Sequence, residues 1–94
     1  MDELLHVTTE VRWAEAGASG RVRCPPGGFI HLCTPDQLDF VLQRHFTGQK
    51  GLLLLTLDPA GLDVRWEVSE PGMAPFPHLY ADLLTESVIG TRVL

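Results

Sequence analysis

Imidazoles are the side chains in this sequence best suited to chemistry near neutral pH. Four histidines, His6, His31, His45 and His78, occur in 94 residues. A gathered pair of them serves as acid and base. Three interrupt apolar context. His6 lies between Leu5 and Val7, His31 between Ile30 and Leu32, and His78 between Pro77 and Leu79. A buried imidazole needs a hydrogen-bond partner. One such residue is commonly a satisfied core histidine. Three in one small domain point to a shared polar pocket. His45 reads differently. It ends a helix-patterned segment, where positive charge suits the helix dipole, and is expected to be structural.

Two further groups bear on reactivity. Glu67 closes "VRWE" at a strand end, where a carboxylate is either solvated or available as a general base or ribose anchor. Cys33 follows His31 by two residues, so Phe29, His31 and Cys33 share one strand face. A helix N-terminus ahead of Cys33 would lower its thiol pKa. The plainer reading of Cys33 is a small buried side chain. Zinc sites are normally built from two close ligand pairs. Here the one close pair is His31 and Cys33, so no metal is expected.

These residues need elements to hold them. "ELLHVTT" reads as a first strand. "TTEVRWAEAGASG" reads as a short helix capped by Thr8 or Thr9 and ended by Gly17 or Gly20, with Val11 and Ala14 sharing a face. Pro25 and Pro26 make "RVRCPPGG" an irregular loop that delivers "FIHLC" as a strand. "TPDQLDFVLQRHF" is the clearest helix. Thr34 is its N-cap, Pro35 stands at the first helical position and Gln37 completes a capping box. Leu38, Val41, Leu42 and His45 form its stripe toward a sheet. "GLLLLTLD" is apolar on both faces and hence a central strand. "DVRWEV" alternates, with Val64 and Trp66 opposite Arg65 and Glu67. "SEPGMAPFPHLY" reads as loop, "ADLLTES" as a helical turn, and "SVIGTRVL" as a closing strand. The fold class is α+β: small mixed or antiparallel sheets forming a cleft, flanked by two or three short helices, in one domain over residues 1–94.

Composition narrows the function. Net charge is −5, and the seven lysines and arginines are scattered, which argues against a nucleic-acid polymer as partner. One or two arginines still suffice for the phosphates of a single nucleotide. No apolar run approaches the length of a membrane span, and no signal peptide is evident. The two cysteines are expected reduced, in a cytoplasmic protein that is a monomer or weak homodimer.

"GGFIHLCTPDQ", "LLLLTLDPAGL", "VRWE" and "PFPHLY", in that order, resemble the small bacterial proteins of the DUF952 family, with His6 and Trp13 fitting its N-terminal pattern. That family resembles the ADP-ribosyltransferase fold. The likeness implies two small sheets around a cleft that often holds NAD. It implies a first-strand histidine, here His6, at the nicotinamide ribose, and a late glutamate, here Glu67, that orients the reacting sugar. His31, His78 and Tyr80 match the family's own motifs. Cys33 stands where the family more often has serine, and Ala81 where it often has glycine.

Together these readings give an expected enzyme with a histidine-lined cleft. Its catalytic residues are expected to be His31, His78 and Glu67, with ligand contacts from His6, Tyr80, Cys33, Thr34 and Trp66. A transferase-like enzyme binding NAD or a nucleotide is the first expectation. Acid–base chemistry on a small organic metabolite is the second, and a non-catalytic binding module the third. The residues alone specify no cofactor.

Overall fold

The computed structural model describes residues 3–94. In chain order the elements are β1 (Leu4–Thr9), α1 (Glu10–Ser19), β2 (Arg21–Val22), β3 (Ile30–His31), α2 (Leu38–His45), β4 (Leu52–Leu57), β5 (Val64–Glu67), β6 (Phe76–Leu79), β7 (Leu83–Leu84) and β8 (Val88–Val93). Short 3-10 turns at Pro35–Gln37 and Thr85–Ser87 precede α2 and β8. Every strand pairing is antiparallel. The sheets run β1–β4–β8, β2–β7 and β3–β6–β5. No helix among the described residues is long and apolar enough to cross a membrane.

β4 is central because both its faces are apolar. Leu55 and Leu57 join Leu4, Ile30, Leu32, Leu79 and Leu83 in one core. Leu52 and Leu54 join Leu5, Val7 and Cys33 in a second core, on which Leu38, Val41, Leu42 and Phe46 pack. The β1–β4–β8 sheet thus lies between two apolar layers. Each fully buried leucine contributes about 1.5–3 kcal/mol of transfer free energy.

Helix boundaries follow their caps. Thr9 Oγ1 accepts from the Arg12 N–H at 3.1 Å, and Gly20 ends α1 at φ 82°, donating to the Ala16 carbonyl. The buried face of α1 differs from expectation. Ala16 is buried and Trp13 packs on the first core, whereas Val11 is 69% exposed. Trp13 has more apolar surface to hide than Val11, and the helix turns it inward. At α2, Gln37 Oε1 accepts from the Thr34 N–H at 3.1 Å, while Gln37 Nε2 donates to the Pro75 carbonyl at 3.0 Å.

Expectations about the elements are corrected at three places. "FPHL", read as loop because of its prolines, is β6, the middle strand of its sheet. "RV" and "LL" pair as β2 and β7. "FIHLC" is strand for two residues only. One proline explains both the first and the last. Leu32 donates to the Pro77 carbonyl at 3.1 Å, but Pro77 has no N–H to return the bond. The ladder ends there, and the chain crosses to β1. Cys33 exchanges two backbone bonds of 2.8 Å with Leu5. A single five-residue stretch therefore joins two sheets.

Candidate functional site

Register places the chemistry on one face of the β3–β6–β5 sheet. His31 lies opposite His78, and His78 opposite Arg65. Side chains alternate, so Phe29, His31, Phe76, His78, Tyr80, Arg65 and Glu67 share that face. Ile30, Leu32, Pro77, Leu79, Val64 and Trp66 share the other. Most of these meet the leucine core, while Trp66 extends beyond it and is 53% exposed.

A cavity of about 420 Å³ opens beside the histidine face, walled by β1, the Leu32–Cys33 crossing, α2 and the loop before β6. His6, His31, His45 and His78 all line it, as do Cys33, Arg12 and Arg44. Its size suits a small-molecule ligand.

His78 is the most constrained of these. It is 4% exposed, its ring stacks on Phe29 with centroids 3.9 Å apart, and its Nδ1 lies 2.8 Å from Glu67 Oε1. The Tyr80 hydroxyl donates to the same oxygen at 2.5 Å, and the Arg65 guanidinium sits 4.4 Å from the Tyr80 ring centroid. The Tyr80 hydrogen bond, and after it the one from His78, hold the Glu67 carboxyl below its ordinary range. The carboxylate in turn pushes the Tyr80 phenol up. An ionised Glu67 accepts only, so His78 Nδ1 carries the proton. In the neutral ring Nε2 is then an acceptor. No sealed side-chain nitrogen or oxygen among the described residues lacks a partner, and Nε2 has none, so Nε2 reaches open space.

Two neighbouring imidazoles stay neutral near pH 7. His6 Nδ1 donates to the His31 carbonyl at 2.7 Å, and burial is the chief cause that lowers its pKa. Desolvation and then the nearby His78 lower that of His31, whose ring centroid is 5.7 Å from that of His78. Burial pushes the Cys33 thiol up to about 11, so it is a wall of the cavity and no nucleophile. Among the described residues no group of three or more potential ligands is placed to hold a metal ion.

The backbone of β1 adds a polar edge. Leu5 bonds to Cys33 on the side away from β4, and alternation turns the N–H and C=O of Val7 the same way. Val7 lines the cavity, and among the described residues nothing pairs with those two groups.

The expected site residues thus separate. His6, His31, His78 and Cys33 converge on the cavity. Glu67 and Tyr80 stand behind His78 and reach the cavity only through it. Thr34 caps the turn before α2, and Trp66 lies on the opposite sheet face, so neither lines the cavity. Arg12, Arg44 and His45 were not expected there. Phe40 and Arg44, and Val41 and His45, are i, i+4 pairs of α2, and both pairs line the cavity.

The chain is an α+β protein of small antiparallel sheets and two helices. Residues 7–91 match the family described as "Protein of unknown function (DUF952)", and the chain belongs to that family. The crystal structure of CC0527 from Caulobacter crescentus is similar, at 34% identity over 98% of this chain and 85% of that one, with a TM-score of 0.87. The solution NMR structure of CC0527 gives 35% identity over 100% and 85%, with a TM-score of 0.84. No curated protein matches.

Proposed function

We propose that this protein is an acid–base enzyme acting on a small organic molecule, with His78 as the proton-transferring group. The observation that carries this reading is the Nδ1 contact of His78 with Glu67, which leaves Nε2 for the cavity. Nε2 takes a proton from the substrate, and the resulting imidazolium is stabilised by Glu67 at Nδ1. His31, beside His78 and neutral, exchanges a proton at a second substrate atom. Glu67 is a positioning residue in this scheme. The test is proton exchange. A panel of small organic acids and nucleotides is incubated with the protein in heavy water, and loss of C–H signal is followed by NMR. Exchange that disappears in His78→Gln is expected. A panel that shows neither exchange nor any shift of the His31 and His78 resonances would sink the proposal.

A second reading is favoured by the Val7 edge. Its N–H and C=O, beside His6, complement a carboxamide, as in the nicotinamide of NAD. This reading stands second because Glu67 is engaged by His78 and Tyr80 and does not line the cavity. NAD at millimolar concentration that leaves the His6 and His31 signals unmoved would remove it.

A further inference from the structure

We propose that the cavity selects an anionic substrate through Arg44 and Arg12, and that Glu70 competes with the substrate anion for Arg44. The inference rests on the cavity being the reaction site. Arg44, in the last turn of α2, pairs with Glu70 on the loop between β5 and β6, and both side chains line the cavity. Each is 48% exposed, and an ion pair so open to solvent is weak. The same loop has a second tie to the start of α2, from Gln37 to the Pro75 carbonyl. Between the ties lie Gly72, at φ 84°, and Met73, which faces the cavity. One wall of the cavity is therefore a loop held to α2 at two exposed points. One of those points is a carboxylate on a guanidinium.

The rest of the lining says what would displace that carboxylate. Arg12 enters the cavity from the first turn of α1 and has no ion-pair partner among the described residues. Phe40, Phe46, Met73 and Phe76 supply apolar surface in the same cavity. Arg44 lies 5.9 Å from the Phe40 ring centroid, and Phe40 lies 5.9 Å from Phe76. Arg12 and Arg44 are the lining residues whose positive charge is permanent, so the charge preference falls to them. A carboxylate or phosphate on a flat apolar body fits this arrangement. Its oxygens pair with a guanidinium fork, and its body lies against the aromatic wall. A chain of net charge −5 repels anions over much of its surface, so local cations are required where one is to be held. Substrate binding then exchanges the Glu70 carboxylate for the substrate anion on Arg44 and releases Glu70 from its tie.

The test compares benzoate with its neutral isostere benzamide, titrated into the wild-type protein, Glu70→Gln and Arg44→Met. Occupancy is read from the His31 and His78 ring resonances. Both substituted residues are half-exposed, and unchanged amide spectra verify that the variants fold. Benzoate is expected to bind more tightly than benzamide. Glu70→Gln should tighten benzoate about two- to five-fold and leave benzamide unchanged. Arg44→Met should weaken benzoate and leave benzamide unchanged. Equal affinities for the two probes, or no response of benzoate to Glu70→Gln, overturns this inference while the reaction site stands. Silence of both probes in all three proteins overturns it together with the site.

Discussion

His78 Nδ1 lies 2.8 Å from the Glu67 carboxylate, and this one contact leaves Nε2 as the unpaired ring nitrogen. In Glu67→Gln the neutral amide no longer stabilises an imidazolium. Any His78-dependent proton exchange should fall by roughly 10²–10⁴-fold. An independent optical readout exists, because Tyr80 is the chain's single tyrosine. Its phenol is pushed up chiefly by the hydrogen bond to Glu67. An ultraviolet pH titration should show Tyr80 ionising at lower pH in the variant than in the wild type. Coincident titration curves would refute the coupling.

Acid should destabilise the fold in two stages. The folded-state pKa values of His6 and His31 lie below the ordinary 6.5. The unfolded chain therefore binds more protons, and stability falls as pH drops from above 6.5 toward the folded values. Glu67 has a depressed carboxyl, so its contribution is present above the ordinary carboxylate range and is lost as pH falls through its folded value. Urea midpoints should be level from pH 7 to 8 and decline below about 6.5. His6→Asn keeps an N–H donor and should flatten the first decline. His6→Ala leaves the His31 carbonyl unpaired and should cost about 1–3 kcal/mol.

Two positions on the same face of the β3–β6–β5 sheet should respond differently to truncation, because one is covered and the other is not. Leu79 is fully buried in the larger core. Leu79→Ala should cost about 2–5 kcal/mol in denaturant unfolding. Trp66→Ala removes a larger side chain that is mostly in solvent and should cost under about 1 kcal/mol. Comparable losses at the two positions would contradict the described burial.

Cysteine reactivity should follow exposure. Cys33 is 2% exposed, and its thiol is pushed up to about 11. Iodoacetamide at neutral pH should label the partly exposed Cys24 and spare Cys33, as read by peptide mass spectrometry. Labelling should leave ligand-induced histidine shifts intact. Prompt modification of Cys33 in the folded protein would reverse its assignment as a wall.

The legible parts of the sequence were those that local physics decides. Gln37 standing three residues after Thr34 announced the start of α2. The unbroken leucines of β4 announced a strand covered on both sides. Alternation placed Glu67 on the face opposite Trp66 before any partner was known. What stayed hidden depended on partners far along the chain. Pro77 argued against a strand, because nothing local says that its missing donor falls where β3 gives out. Arg44 and His45 looked like last-turn decoration, since their neighbours across the cavity come from β1 and the loop before β6. The Thr34 hydroxyl and the Trp66 indole have types suited to ligand contact. Their positions were set by helix capping and by strand parity.

Strand parity has one more consequence, in the folding of β6. Phe76 and His78 face the cavity, and Pro77 and Leu79 face the leucines. A slip of one residue would exchange the two sets. It would press an imidazole into hydrocarbon, expose Leu79, and separate His78 from Glu67. A chain that buries its leucines correctly has therefore already aimed His78, and no molecule can be well folded yet wrongly armed.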